Sequence, residues 1–324
     1  MKRRMIPVFV CFATLVLATQ ASAQSQGPAA EAKASAALDE EAIAKANALV
    51  RVGRIKEAET LLQSASVASP KSVLLHEALG ELYFQQRNFE ASVRELSLAL
   101  QIDPSSWRYS MLLASALINW AHFEVAVDFL RAVEPKFGQH PEHHYYLGIA
   151  LFNLNNIDLA EKEFQRTIQL SPELDRARFM LAKCRASQGD ETAALEIYRN
   201  LVKDRPSNPI YWTVLAESLN KLAINQTEAL AAGRRAVALA PNNPFALFTT
   251  ANILMRQGDY VSARPLLENA VAVNPDSIAF HAALARTYTR LKEPSLARKE
   301  MQTIETLREK GVEIAPLPDP GGNR

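Results

Sequence analysis

The chain has 324 residues, 48% of them hydrophobic and only 7% aromatic, with 36 basic side chains against 35 acidic ones for a net charge of +1. That length holds enough apolar material for a large core. The near-neutral balance excludes the electrostatic footprint of a nucleic-acid binder and the polybasic cluster of a membrane-surface protein. Ala and Leu run through nearly every segment, and no stretch alternates apolar with polar residues in the manner of a half-buried strand, so the expected class is all-α.

The first 23 residues read as a secretory signal. Lys2, Arg3 and Arg4 precede an apolar run from Met5 to Ala18, and Ala21-Ser22-Ala23 supplies a small-residue cleavage pattern. The run is too short to span a bilayer comfortably, which takes about 20 residues. The flanks of Arg3-Arg4 fit a twin-arginine signal poorly, and Cys11 lacks the small residue that precedes a lipidated cysteine. Cleavage after Ala23 would start the mature chain at Gln24 in the periplasm or outside the cell. No integral membrane segment is expected after cleavage. Losing three of the 36 basic residues leaves 33 against 35 acidic, a net of −2. Cys184 then stands alone, so no intrachain disulfide or cysteine metal knuckle is expected. It reads as a small buried residue.

Residues 24–38, rich in Ala, Gln and Ser, are expected to form a flexible leader. Beyond them the prolines keep time. Pro70, Pro104, Pro172, Pro206, Pro241 and Pro275 are spaced by 34, 68, 34, 35 and 34 residues, the 68 being two periods with the middle proline missing. Proline suits the point where one helix has ended and the next is about to start. Ser, Asn and Asp around it, as in Asp103-Pro104-Ser105-Ser106, are natural N-caps. The period frames eight units: 39–72, 73–106, 107–140, 141–174, 175–208, 209–243, 244–277 and 278–311.

The eighth residue of every unit is small: Ala46, Gly80, Ala114, Gly148, Ala182, Ala216, Ala251 and Ala285. A second small column follows the turn: Ala58, Ser92, Ala126, Ala160, Ala194, Ala229, Ala263 and Ala297. Small side chains at both places let two paired helices approach closely. Larger ones fill the remaining contact, Leu147 and Leu151 against Phe164, and Leu284 and Tyr288 against Met301. Gly53, Gly189-Asp190 and Gly258-Asp259 mark turns in which an αL residue stops the first helix.

With Leu79-Gly80-Glu81-Leu82-Tyr83, Leu147-Gly148 and Asn153-Leu154-Asn155 in register, residues 39–311 resemble the tetratricopeptide repeat, as an exported bacterial member. The resemblance implies an α-solenoid of about eight helix-turn-helix repeats wound as a right-handed superhelix. Lys45 suits an outer capping helix, and the charge-dense last unit suits the opposite cap. The sixth unit carries one extra residue, expected in the turn 222–226, and Gly233 where its neighbours have Leu or an aromatic. Neutral drift is the plainer account of both, a softer joint the sharper one. Residues 312–324, with three Pro and two Gly, read as a disordered tail.

Chemistry is sparse. His140-Pro141-Glu142-His143-His144 offers imidazoles and a carboxylate at metal-ligand spacing, but His144 falls in the column of His76, Ser110, Trp212 and His281, where the family packs an aromatic. No metal site, cofactor loop or catalytic set is expected, and the chain is read as a non-enzyme. Arg185 interrupts a column of Leu and Tyr, as a snorkelling side chain or a groove residue.

In the family the inner groove is lined by the first helix of each unit, which implies Met111, Ile118, Asn119, Tyr145, Ile149, Phe152, Asn153, Phe179, Lys183, Asn220, Phe248, Asn252 and Arg256, with Phe245, Met255, Arg286 and Arg290 beside them. Apolar anchors interleaved with Asn suit an extended peptide. The family's carboxylate clamp would need Lys at the fifth residue of a unit, and none of the eight is Lys. The leading expectation is a scaffold that docks a protein or peptide. The alternative is a polysaccharide binder supporting export of a sugar polymer. Nothing in the sequence fixes an oligomeric state.

Overall fold

The structure, a computed structural model, describes residues 28–311. The signal segment 1–23, Cys11 and the tail 312–324 lie outside the described residues. Within them there are sixteen helices and no strand, and none of these helices is long and apolar enough to cross a membrane. The chain divides into two compact units, one ending at Leu79 and one starting at Gly80.

The first unit holds α1 (Pro28–Arg51), α2 (Ile55–Ala68) and the start of α3 (Val73–Gln85). Ala46 and Ala58 are buried where α1 meets α2. Helix α1 begins eleven residues before the first 34-residue frame, so residues 28–38, read as leader, are helical. The Ala, Glu and Lys that dominate residues 29–38 are strong helix formers. Lys45 is exposed and pairs with Glu41 at 2.7 Å, one turn away.

The second unit runs through α4 (Phe89–Ile102), α5 (Trp107–Asn119), α6 (Phe123–Phe137), α7 (Pro141–Asn153), α8 (Ile157–Leu170), α9 (Asp175–Ser187) and α10 (Glu191–Asp204). It continues as α11 (Pro209–Leu222), α12 (Gln226–Leu239), α13 (Pro244–Arg256), α14 (Tyr260–Val273), α15 (Ile278–Arg290) and α16 (Pro294–Glu309). Each helix packs on the next in chain order. First helices of successive repeats also approach one another, α5 with α7, α7 with α9, α11 with α13 and α13 with α15, whereas second helices make no comparable approach. Helix stacks that crowd on one side curve toward it, so the first helices line the inner face of this unit.

Local rules explain the boundaries. Pro70, Pro104, Pro172, Pro206, Pro241 and Pro275 each stand two residues past the last residue of a helix. Ser106, Asn208, Asn243 and Ser277 cap the helices that follow by accepting backbone N–H bonds. Gly138 replaces the missing proline and caps α6. The hairpin inside most units closes with one residue at positive φ and a 2.9 Å bond to the carbonyl five residues back, as from Asn156 N to Leu151 O and from Asp259 N to Leu254 O.

The sixth unit differs. Helix α11 gains the extra residue, and its turn uses two left-handed residues, Ala223 (φ 58°) and Asn225 (φ 43°). Gly233 is buried, and a Cβ there would stand 2.7 Å from Thr250 Oγ1 on α13. The close approach of α12 to α13 gives Gly233 a packing role that neither sequence account foresaw.

The core lies between the paired helices, in separate clusters along the second unit. Leu96, Leu130, Phe164, Leu195, Leu201, Leu219, Ile253 and Leu267 are fully buried, each side chain contributing about 2 kcal/mol of transfer free energy. The small columns sit inside it: Ala114, Ala126, Ala160, Ala182, Ala194, Ala216, Ala229, Ala251 and Ala263 are all 0% exposed. Ser92 keeps its place there by donating to the Gly80 carbonyl at 2.7 Å. Met301, expected against Leu284 and Tyr288 in the core, is instead half exposed. No described helix covers α16 from outside.

Candidate functional site

The residues singled out on the first helices separate by depth. Met111 and Phe179 are core residues, 6% and 3% exposed. Phe179 is enclosed by the rings of Tyr198 and Tyr211 at 6.2 and 5.7 Å. Both belonged to the expected groove, and both are lost to it because the helices packed around them in these two repeats enclose them. Ile118 and Phe248 are half-buried at the core edge, Phe248 with its ring 5.0 Å from that of Phe280.

Helix α7 supplies the best-defined accessible row. Tyr145, Ile149 and Phe152, at i, i+4 and i+7, share one helix face and are all half-buried. Cations from α9 lie over two of them: Arg176 Cζ is 4.4 Å from the Tyr145 ring centre, and Lys183 Nζ is 5.0 Å from that of Phe152. Such contacts hold a ring and a long cation in place at about 0.5–1 kcal/mol each when exposed. Arg176 occupies the second position of its unit, a groove position in the family, and the repeat register was the signal that could have found it.

The asparagines are less free than an extended-peptide grip would want. Asn119 and Asn153 are exposed, but each donates from Nδ2 to the carbonyl one turn back, Ser115 O at 2.8 Å and Ile149 O at 2.9 Å. Asn220 is half-buried with its Oδ1 enclosed and unbonded, while its main-chain carbonyl accepts from Arg256 Nη1. Asn252 and Arg256 line a separate hollow of about 700 Å³ between α13, α15 and α16. Tyr260, Met301 and Ile304, contributed to it by second helices, lay outside a reading confined to first helices.

The three histidines of 140–144 part ways. His140 stacks on Trp107 with ring centres 4.2 Å apart. His143 is fully buried with neither ring nitrogen hydrogen-bonded. Burial and the neighbouring His144 push its pKa down to about 4. His144 binds Glu163 Oε2 through Nδ1 at 2.6 Å and the Gly138 carbonyl through Nε2 at 2.9 Å. Burial disfavours its charge, but Glu163 and the Gly138 carbonyl outweigh that and its pKa is raised. His281 repeats the arrangement with Glu300 at 2.6 Å and the Pro275 carbonyl at 2.8 Å. Trp212 Nε1 donates to the equivalent Pro206 carbonyl at 2.9 Å. The column ties a helix to the turn before it, a role in hydrogen bonding beyond aromatic packing. Among the described residues no three His, Cys, Asp or Glu gather as metal ligands.

Two other sequence candidates resolve into structure. Arg185 is half-buried and its Nη2 meets Glu161 Oε1 at 2.5 Å, which ties α9 to α8. Cys184 is 0% exposed, and burial, with Glu161 nearby, pushes its thiol up to about 12.

Comparison with known proteins agrees with this geometry. Family models described as tetratricopeptide repeat match residues 43–106, 111–175, 145–209, 179–244 and 254–306. A DnaJ homolog subfamily C member 7 homolog from Dictyostelium discoideum is 22% identical over 228 residues, covering 66% of this chain and 41% of that protein. The BBSome complex member BBS4 of Mus musculus is 25% identical over 154 residues, covering 47% of this chain and 29% of its own. The chain thus spans less than half the length of these curated relatives. Among solved structures, a tetratricopeptide repeat protein from Parabacteroides merdae superposes with a TM-score of 0.63 at 19% identity, over 77% of this chain and 98% of that one. Yeast Tom70 superposes with a TM-score of 0.59 at 17% identity, over 80% and 59% respectively. At these identities the structural likeness concerns the fold alone.

Proposed function

The chain belongs to the tetratricopeptide repeat family, whose members generally mediate protein–protein interactions, and from that premise we propose that it is an exported, non-catalytic scaffold that holds a peptide segment of a protein partner along its inner face. The observation that carries the reading is the row Tyr145, Ile149 and Phe152 on α7, accessible and braced by Arg176 and Lys183. Half-buried rings held by neighbouring cations form a pre-organised surface, which lowers the ordering cost of binding. Their aromatic and apolar character suits the anchor positions of an interface.

Export is the sequence's contribution. The basic start, the apolar run and Ala21-Ser22-Ala23 support a periplasmic or extracellular destination. N-terminal sequencing of the chain recovered from the envelope fraction should begin at Gln24. Recovery in the cytosol with residues 1–23 intact would remove export from the proposal.

The partner is sought with a photo-crosslinker placed at Asn153, beside the row, and at Val125 on second helix α6. The inner position should give a discrete protein adduct that is lost on Tyr145→Ala/Phe152→Ala. Equal labelling from both positions, or an adduct insensitive to the double change, would refute binding at this face. An adduct cleared by glycosidase rather than protease would favour a sugar polymer instead.

A further inference from the structure

The hollow between α13, α15 and α16 is arginine-lined, and no carboxylate joins its walls. Arg256 comes from the end of α13, and Arg286 and Arg290 stand one turn apart on α15. All three are exposed. Several arginines elsewhere in this unit are matched with acids: Arg108 with Glu81, Arg178 with Asp204, Arg199 with Glu228, and Arg264 with Glu293. In the hollow, two of the arginines have neutral neighbours. Arg256 donates to the Asn220 carbonyl, and Arg290 lies 5.9 Å from the Tyr260 ring centre. Like charges at i and i+4 on a helix repel, so Arg286 and Arg290 are held together at a cost that a bound anion would relieve. Met255, Met301 and Ile304 form an apolar floor beside them.

We propose that this hollow is a docking site for an acidic, apolar-containing stretch of the protein partner, taking side-chain carboxylates on Arg256, Arg286 and Arg290 and an aliphatic side chain on the floor. Guanidinium forks bind carboxylates in paired, charge-assisted hydrogen bonds. Three forks call for more than one carboxylate, which favours an internal acidic segment over a single chain terminus. The aliphatic floor, with Tyr260 as its one aromatic, suits a peptide better than a stacked sugar ring. The site rests on the reading of the chain as a peptide-binding scaffold and adds the chemistry of one partner segment.

The probe is a fluorescent ten-residue peptide alternating Glu and Leu, capped at both ends, titrated against the full chain by anisotropy. A Gln-for-Glu version and a polyuronate oligomer are run beside it. The acidic peptide should bind at least tenfold more tightly than its Gln version. Arg286→Gln/Arg290→Gln should remove at least tenfold of that affinity, with binding weakening steeply as salt rises. If the double variant melts abnormally, Arg256→Gln alone replaces it. Equal binding of the Glu and Gln peptides overturns the proposal, as does unchanged affinity in the arginine variants. Binding of the polyuronate but not the peptide overturns it in favour of a polysaccharide. Crosslinking through Asn153 tests the α7 row independently, so loss of this site and loss of the scaffold reading give different results.

Discussion

His144 on α7 and Glu163 on α8 meet at 2.6 Å, Nδ1 to Oε2, while the other ring nitrogen faces the Gly138 carbonyl at 2.9 Å. Both nitrogens therefore face acceptors, an environment that favours imidazolium. A folded-state pKa raised above 6.5 means that the pair's contribution is fully present below the unfolded value. It is lost as pH rises through the raised value. Glu163→Gln should lower stability by on the order of 1–2 kcal/mol near pH 6 and by little at pH 9. Denaturant titrations at the two pH values test this, and an equal loss at both would contradict the imidazolium assignment.

The adjacent His143 acts in the opposite direction. Its folded pKa is pushed down to about 4 from an ordinary 6.5. Between those values the unfolded chain takes up a proton that the folded one refuses, so stability falls as pH drops from about 6.5 toward 4. A shift of that size corresponds to about 3 kcal/mol as a ceiling. His143→Leu removes the titration and leaves no bonded partner behind, because neither ring nitrogen has one. The variant should keep its denaturation midpoint nearly constant from pH 6.5 to 4.5 while the parent's declines. Parallel declines would show that His143 is not the group responsible.

Several hairpins spend a non-glycine residue on a left-handed turn, among them Ala121 at φ 59° and Lys292 at φ 62°. A Cβ in that region costs roughly 1–2 kcal/mol, whereas Gly189 and Gly258 occupy the same turn without that strain. Ala121→Gly should therefore raise stability by about 0.5 kcal/mol, once the extra freedom of glycine in the unfolded chain is deducted. Ala121 is exposed, so no packing is lost. A lowered urea midpoint would show that strain in this turn is not what limits it.

Pro104, Ala114 and Ala126 announced the fold because their roles recur every 34 residues, and eight weak matches in register become a strong one. Depth was another matter. Register places Phe179 and Tyr145 on the same face of their helices, but only packing between successive first helices decides that Phe179 is enclosed and Tyr145 is not. The partner of His144 was hidden because Glu163 lies 19 residues away on another helix. Glu300 stands at the same distance from His281, so the spacing was legible to anyone comparing units for paired changes. The helical start at Pro28 was masked by reading Ala and Ser as linker composition.

Gly148 offers the sharpest test of the small-residue columns. A Cβ at this position would lie 2.7 Å from Phe164 Cε1 and 2.9 Å from Cζ, closer than carbon atoms in contact allow. Phe164 is 0% exposed, so its ring cannot swing away without disturbing α7 and α8. Overpacking of this kind costs about 1–3 kcal/mol, and Gly148→Ala should lower the urea midpoint accordingly. In the second repeat Leu96 faces Gly80, where a Cβ would lie 2.7 Å from it, whereas Leu130 and Leu267 hold the Phe164 column in repeats where Ala114 and Ala251 stand in the Gly148 column. Phe164→Leu should therefore relieve the clash, leaving the double variant less destabilised than the two single losses combined. Simple additivity would mean that the helices part at Gly148 rather than press on Phe164. A neutral Gly148→Ala would remove the close approach of α7 and α8 as the reason for glycine.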